Sequence, residues 1–285
     1  MIFILALLSA LGWGLMPIIA QWNKGKPNEQ LLGTTITALL FGGVIAMSID
    51  SEWSLLIVVI SFLSGVCWSI GQYLQFYSFL YLPVSEAMPI SNGTQLIGTT
   101  LVAAIFFNEW TGRLDVFMGI ISLFFIIGGI YLTNYHEKGN TQIGTFSLKP
   151  VFILLVSSLS LTVYVVLPKF FNIPGASIIF PQAIGMFTTA FLMNLPYLKT
   201  MNYQRVFKNM STGLAWSIAN LSLFLTIPYL GVGKSFTISQ LSVLVTLITS
   251  TILFKINKSQ KEKKAVLVGA VLITIGILLI SLLKK

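Results

Sequence analysis

The chain has 285 residues, of which 55% are hydrophobic and only 9% are charged, and its mean hydropathy is +0.89. In a typical soluble domain, roughly a quarter of the residues are charged. The low charge of this chain excludes a water-facing surface over most of its length and predicts a polytopic membrane protein. The 17 Lys and Arg residues outnumber the 8 Asp and Glu residues, but they are scattered between apolar runs, which argues against nucleic-acid binding.

A helix needs about 20 apolar residues to cross the hydrocarbon core of a bilayer. Ten runs satisfy this need, at residues 2–22, 32–49, 54–79, 84–107, 114–134, 150–167, 176–196, 208–227, 233–254 and 264–283. No basic residue precedes the first run, so we expect a true span rather than a secretory signal. Short Pro- and Gly-containing turns at 81–83 and 228–231 join the third run to the fourth and the eighth to the ninth.

The basic residues predict how the spans are oriented. Five of them lie in the even-numbered loops or at the ends of the chain: Arg113, Lys169, Lys234, Lys284 and Lys285. The other twelve lie in the odd-numbered loops: Lys24, Lys26, Lys138, Lys149, Lys199, Arg205, Lys208, Lys255, Lys258, Lys261, Lys263 and Lys264. Since cytoplasmic loops carry the excess of Lys and Arg, we expect both termini to be extracellular in a multi-pass protein of the cell membrane.

The middle of the chain contains a repeat. Residues 64–91 align without gaps to residues 212–239, with ten of 28 pairs identical, among them Trp68 with Trp216 and Gly65 with Gly213. An odd number of spans in each half inverts the second half in the membrane. The sequence therefore predicts an all-α membrane protein of ten transmembrane helices built as two inverted five-helix repeats, at 1–135 and 150–285, joined by a cytoplasmic linker at 136–149.

Small residues recur along one face of the third span, at Ser61, Gly65 and Ser69. Helices in lipid approach each other most closely where such residues meet. We expect this face to pack against another helix and to have no role in binding.

Polar side chains within the spans are the first candidates for function, because they are costly in hydrocarbon unless they are paired. Gln72 and Gln75 lie one helical turn apart in the third span, and Asn92 and Gln95 do the same in the fourth. In the second half, Asn220 and Gln240 repeat the arrangement. An amide offers donors and an acceptor to vicinal hydroxyls, so we expect these six side chains to line one substrate site near the midplane.

Aromatic side chains near the centres of their spans complete this site. Trp13, Trp68, Trp216 and Tyr164 could cover the apolar face of a sugar ring, and we include the three Trp residues among the substrate-binding candidates. The alternative to a binding role is a structural one, in which the amides form hydrogen bonds between helices and the aromatic side chains pack the core.

Charge within the spans narrows the substrate class. No Lys or Arg lies in the middle of a span, whereas an anionic substrate would need cationic compensation there. An uncharged solute is therefore favoured. The two candidates for a coupling proton are Glu86, at the start of the fourth span, and Glu109, at its end; alternatively, either is an interfacial charge that stays in water.

Enzyme chemistry has little support in the sequence. The single Cys67 and the single His136 provide no Cys-based or His-based metal centre and no triad. Asp50 and Asp115 lie in loops, so no intramembrane aspartyl pair is available, and a His-Glu-x-x-His motif is absent. We therefore expect no enzyme activity, no metal and no cofactor, although a purely structural or receptor role stays open.

Three stretches resemble a known family. The segment from Met88 to Thr100, followed by Asn108-Glu109-Trp110, is similar to the signature of the bacterial glucose/ribose uptake family within the drug/metabolite transporter superfamily. The segments 68–72 and 235–241 resemble its two other recognisable stretches. This chain has Ser-Asn-Gly at 91–93 and Asn-Glu-Trp at 108–110, where the family usually has Ser-Thr-Gly and Gly-Glu-Trp.

The resemblance covers nearly the whole chain and implies ten helices in two inverted repeats. It also implies uptake of a monosaccharide, with glucose as the first candidate, by proton symport. From the residues and the resemblance together we expect alternating access, with a monosaccharide, a proton and the lipid bilayer as partners and with a monomer or a homodimer as the assembly. The alternative is an exporter or a facilitator of other small neutral or amphipathic metabolites, since one fold serves many solutes.

Overall fold

The computed structural model describes residues 2–48, 53–107, 110, 112–135, 137, 148–173, 175–230, 235, 238–255 and 258–282, with the side chains at 3, 175, 176, 224, 227 and 228 excepted. Within these residues the regular structure is helical throughout. Glu109, Lys234 and most of the predicted linker at 136–149 lie outside the described residues.

Ten α-helices lie in the described part of the chain, and each overlaps one predicted span. They are α1 (Ile2–Asn23), α2 (Pro27–Ser48), α3 (Leu55–Ser78), α4 (Val84–Phe106), α5 (Arg113–Thr133), α6 (Leu148–Phe170), α7 (Gly175–Asn194), α8 (Tyr203–Leu230), α9 (Ser242–Leu253) and α10 (Gln260–Leu282), with a 3₁₀ segment at Leu195–Thr200. The all-helical prediction is confirmed. Seven of the helices, α1, α2, α3, α5, α6, α7 and α10, are long and apolar enough to cross a membrane.

Three helices, α2, α8 and α10, begin about one turn earlier than the apolar runs predict, because polar groups cap them. In α2, which starts at Pro27, buried Glu29 accepts hydrogen bonds from the backbone N–H groups of Lys26 (2.8 Å) and Asn202 (2.9 Å). The Asn202 side chain in turn accepts from the N–H groups of Gln204 and Arg205, in the first turn of α8. A hydropathy pattern misses such first turns, since their stability comes from satisfied backbone donors.

Within the predicted span 233–254, the described helix α9 starts at Ser242, after a break in the helix at residues 240–241. Around this break, the backbone N–H groups of Leu241, Val243 and Leu244 each bond to the carbonyl three residues earlier, at 3.0–3.1 Å. This pattern is that of a 3₁₀ turn, which is tighter than an α-helix. The chain therefore enters α9 through an irregular turn centred on Gln240 and Leu241.

The helices pack in a recurring pattern across the two halves of the chain. Helix α1 packs on α8 and α6 packs on α3; α2 packs on α8 and α7 packs on α3; α1 packs on α9 and α6 packs on α4. In addition, α5 packs on α10 and α2 packs on α7. The largest cluster of buried apolar side chains lies at the centre of this arrangement and contains Trp68, Trp216, Phe76, Met186 and Leu31.

Glycines permit the closest helix crossings, with Gly65 and Gly185 where α3 meets α7 and Gly213 and Gly33 where α8 meets α2. A Cβ atom at Gly65 of α3 would collide with the backbone carbonyl oxygen of Gln182 in α7, and one at Gly213 of α8 would collide with that of Thr34 in α2. Ser69, one turn from Gly65, donates to the carbonyl of Met186 at 2.7 Å. The predicted packing role of the small-residue face of α3 is confirmed.

The connections gather at two opposite ends of the bundle. The connections after odd-numbered helices contact one another, for example where Arg205 Nη1 donates to the Asn23 carbonyl at 2.7 Å and where the Glu137 N–H donates to Glu262 Oε1 at 3.0 Å. We call this the odd end. At the even end, the ring of Phe107 lies 4.8 Å from the ring of Phe170. Successive helices therefore run in alternate directions between the two ends.

We expect Gly65→Ala to destabilise the protein by about 1–3 kcal/mol, because the added methyl group has no space at a backbone crossing. Gly128→Ala in α5 is the matched control, since its Cβ atom would lie 3.8 Å from Leu272, an ordinary contact. Thermal unfolding of the two variants in detergent measures the difference. Equal unfolding midpoints would contradict the importance of this crossing.

Candidate functional site

A cavity lies at the centre of the bundle, walled by α1, α3, α4, α6, α8 and the turn before α9. It encloses about 60 Å³, which is room for roughly four to six ordered waters. Its lining consists of Trp13, Met16, Trp68, Gln72, Gln75, Met88, Asn92, Gln95, Leu161, Tyr164, Trp216, Gln240 and Ser242. Eight of the nine substrate-binding candidates named from the sequence are in this lining, and the ninth, Asn220, is not.

A chain of hydrogen bonds fixes the amides of α3. Gln72 Nε2 donates to Gln75 Oε1 at 2.7 Å, and Gln75 Nε2 donates to Ser91 Oγ in α4, also at 2.7 Å. All three side chains are buried. Because Gln75 uses both its oxygen and one N–H in this chain, it holds Gln72 in place and links α3 to α4.

The amides of α4 reach across to the second half of the chain. Asn92 Nδ2 donates to Ser242 Oγ in α9 at 3.3 Å, and Gln95 Nε2 donates to the Leu161 carbonyl in α6 at 3.4 Å. These contacts show that the amides have a structural role, because they form hydrogen bonds between helices. Gln240 also lies in the cavity wall, placed there by the irregular turn before α9.

These bonds determine which atoms remain for a ligand. Gln72, Asn92 and Gln95 each use an amide nitrogen to donate to the protein, whereas no donor among the described residues contacts their side-chain oxygens. An amide oxygen can accept two hydrogen bonds, and an amide nitrogen that donates once keeps its second N–H. The cavity wall therefore offers acceptors and donors, which suits a solute with hydroxyl groups.

The aromatic candidates meet at the middle of the cavity. The rings of Trp68 and Trp216 lie 5.1 Å apart with an angle of 59° between their planes, and both side chains are almost fully buried. Trp13 of α1 packs against the buried cluster that contains Trp68 and Trp216, and also against a second cluster around Leu96 and Ile126. The indoles thus both pack the core and present apolar surface to the cavity.

Asn220 lies behind the wall and contacts it through another residue. The hydroxyl of Tyr164, which lines the cavity, donates to Asn220 Oδ1 at 3.2 Å. Asn220 Nδ2 is buried and has no hydrogen-bond partner within the described part of the chain. Asn220 is therefore placed to orient Tyr164.

Four lining residues carry no signal of their own in the sequence: Met16, Met88, Leu161 and Ser242. The repeat does predict two of them, Leu161 and Met16, because its offset of 148 residues pairs Leu161 with Trp13 and Met16 with Tyr164. The same offset pairs Asn92 with Gln240. All six of these residues line the cavity, so the register of the repeat extends beyond the segment where identity reveals it.

The candidate proton carriers do not line the cavity. Glu86, the third residue of α4, is only 2% exposed, and its Oε1 lies 4.0 Å from Lys258 Nζ. It is thus a buried, paired charge in this structure and not an interfacial one. Glu109 lies outside the described residues. Among the described residues, no group of three or more His, Cys, Asp and Glu side chains could hold a metal ion.

Comparisons with known proteins agree with this architecture. A family profile described as "Sugar transport protein" matches residues 4–283. A protein of Listeria monocytogenes, provisionally named a sugar uptake protein, is 44% identical over 99% of this chain and 99% of its own. The glucose uptake protein GlcU of Bacillus subtilis is 35% identical over 99% of this chain and 98% of its own.

A solved crystal structure shares the fold, with a TM-score of 0.61 at 13% identity over 99% of this chain and 98% of that one. The profile match and the two relatives each extend over essentially the whole sequence. They indicate a multi-pass membrane transporter rather than an enzyme. The chain belongs to the sugar transport protein family.

Proposed function

We propose that the protein takes up a neutral monosaccharide across the cell membrane, with glucose as the first candidate, by proton symport with alternating access. The observation that carries the proposal is the central cavity, in which amide oxygens from α3 and α4 face aromatic rings from both halves of the chain. The name of the Bacillus subtilis relative, a glucose uptake protein, supports the choice of sugar.

The chemistry of the wall fits a sugar. Gln72, Asn92 and Gln95 offer acceptors to sugar hydroxyls, while the indoles of Trp68 and Trp216 offer apolar surface to ring C–H groups. Neither Lys nor Arg appears in the lining within the described residues. A phosphorylated or carboxylated solute would therefore lack a counter-charge in a medium of low dielectric constant.

In the proposed architecture, residues 1–135 and 150–285 form two inverted five-helix repeats joined by the linker at 136–149. The helix packing supports this architecture. If each helix is replaced by its counterpart in the other half, five positions away, the pair α1–α8 becomes α6–α3 and the pair α2–α7 becomes itself. The other main packing pairs follow the same rule. The crossings at Gly65 and Gly213 follow the same rule, since Gln182 and Thr34 differ by the repeat offset of 148 residues.

The packing of the helices suggests how transport proceeds. Helices α1, α2, α8 and α9 pack together as one group and α3, α4, α6 and α7 as another, each with members from both sequence halves. These two groups rock against each other about the central site, which opens it first to one end of the bundle and then to the other. A coupling proton on Glu86 or Glu109 ties this motion to the proton gradient.

We expect Gln72→Ala and Gln95→Ala to abolish glucose uptake in proteoliposomes, because each removes an acceptor from the cavity wall. Gln182→Ala is the matched control: it removes a buried amide in α7 that bonds to Ser64 at 2.9 Å and does not line the cavity. All three proteins should be produced and purified as folded species. Unchanged uptake kinetics in both wall variants would refute the site.

Proton coupling is tested by glucose-induced alkalinisation outside proteoliposomes. We expect the unmodified protein to show it, and we expect either Glu86→Gln or Glu109→Gln to lose it while retaining glucose exchange down a concentration gradient. If glucose enters with no proton movement in the unmodified protein, the chain is a facilitator.

The proposed orientation places the odd end in the cytoplasm and both termini outside. In a Cys67→Ser background, we expect Asn172→Cys at the even end to react with a membrane-impermeant thiol reagent in intact cells. Lys263→Cys at the odd end should react only after the membrane is permeabilised. The reverse pattern would invert the topology.

A further inference from the structure

A buried ion pair lies at the odd end, outside the cavity. Lys258, in the connection between α9 and α10, places its Nζ 4.0 Å from Oε1 of Glu86, and the two side chains are 4% and 2% exposed. The substrate site does not use Lys258. The separation is too long for a direct hydrogen bond, so the charges interact chiefly by Coulomb attraction.

An apolar layer lies next to the ion pair. Ile18 of α1 and Val84 and Met88 of α4 form a buried cluster, and Phe79 and Phe254, from the ends of α3 and α9, pack against it. Met88 also lines the cavity, so this cluster adjoins the cavity on the side of the odd end. Glu86, Lys258 and the cluster residues Ile18, Val84 and Met88 are all less than 10% exposed, so the protein between the cavity and the odd end is closely packed around them.

The pair links the beginning of α4 to the connection that follows α9. Helix α4 belongs to the group of α3, α4, α6 and α7, whereas the connection follows α9 of the group of α1, α2, α8 and α9. In the proposed mechanism the pair therefore bridges the two bodies that move, and opening the odd end must separate Glu86 from Lys258. No such constraint applies to an ion pair within one group.

The energetics of buried charges suit a reversible contact. The cost of removing two charges from water largely offsets their attraction in the interior, whereas removing one partner leaves a lone buried charge, which is strongly unfavourable. The first turn of α4 also favours a carboxylate at Glu86, because the positive end of the helix dipole lies there. The pair therefore specifies the closed arrangement without locking it.

We propose that the Glu86–Lys258 ion pair is the latch of the odd end, in which Lys258 is a positioning residue that holds Glu86 and keeps the cavity closed on that side. This inference rests on the proposed alternating-access function. It assigns a role to Lys258 that the substrate site does not explain, and it gives the charge of Glu86 a mechanical consequence.

The test is the reactivity of a cysteine placed behind the latch. Met88 lies two residues further into α4 than Glu86, lines the cavity and is only 3% exposed, so Met88→Cys in a Cys67→Ser background should react slowly with a polar thiol reagent in purified protein without sugar. We expect Glu86→Gln or Lys258→Met to accelerate labelling by about tenfold or more, because each removes the Coulomb attraction between Glu86 and Lys258 that favours the closed state. The double exchange Glu86→Lys with Lys258→Glu should restore slow labelling.

The exposed pair at the same end provides the matched control. Lys261 Nζ lies 2.6 Å from Glu137 Oε1, with side chains 73% and 34% exposed, and its hydrogen bond lowers the pKa of the Glu137 carboxyl. Glu137→Gln and Lys261→Met should leave the labelling rate unchanged, since exposed pairs contribute little.

Slow labelling in both single variants of the latch, or fast labelling in the double exchange, would overturn the proposal. The double exchange retains both charges, so it also separates loss of the latch from loss of the fold. Glucose uptake by the parent protein is measured separately. If the parent moves no glucose and labelling still follows the expected pattern, the latch stands and the proposed substrate fails.

Discussion

The close approach of helix backbones at Gly65 and Gly213 is the constraint on which the structure depends. In lipid, apolar side chains gain little by leaving their surroundings for one another, so helices associate through tight packing and polar contacts. These two glycines bring α3 against α7 and α8 against α2, and the central cluster around Trp68 and Trp216 forms between those pairs. Residues further along α3 and α8 then reach the cavity from defined directions.

Hydrogen bonds between polar side chains fix the cavity wall, in the same way that close packing at glycines fixes the helices. Gln75 donates to Ser91 and accepts from Gln72, which fixes both amides without any ligand. Binding sites that are held in place beforehand lose less conformational entropy when a ligand arrives. In the proposed site, interhelical bonding and ligand recognition belong to one network, in which one N–H of each amide bonds to the protein and the oxygen and the second N–H remain for a solute.

Sequence reasoning predicted the helices and most of the wall, for identifiable reasons. Apolar runs locate spans because length and hydropathy are local properties, and amides within them stand out because they are costly in lipid. The early starts of α2, α8 and α10 were missed because their caps act through local hydrogen bonds, which hydropathy does not register. The indirect position of Asn220 and the pairing of Glu86 with Lys258 were missed because both depend on tertiary contacts between residues far apart in sequence.

The wall residues paired by the repeat differ in chemistry: Trp13 corresponds to Leu161, Met16 to Tyr164 and Asn92 to Gln240. A sugar in such a cavity meets unlike groups on its two sides and so has one preferred orientation. In the proposed two-repeat arrangement, the states open to either end are then not mirror images, and the affinity for sugar can differ between the two faces of the membrane. Detailed balance still forbids this asymmetry from accumulating sugar by itself. It can set only the rates and half-saturation on each side, and net concentration requires a second, energy-bearing solute.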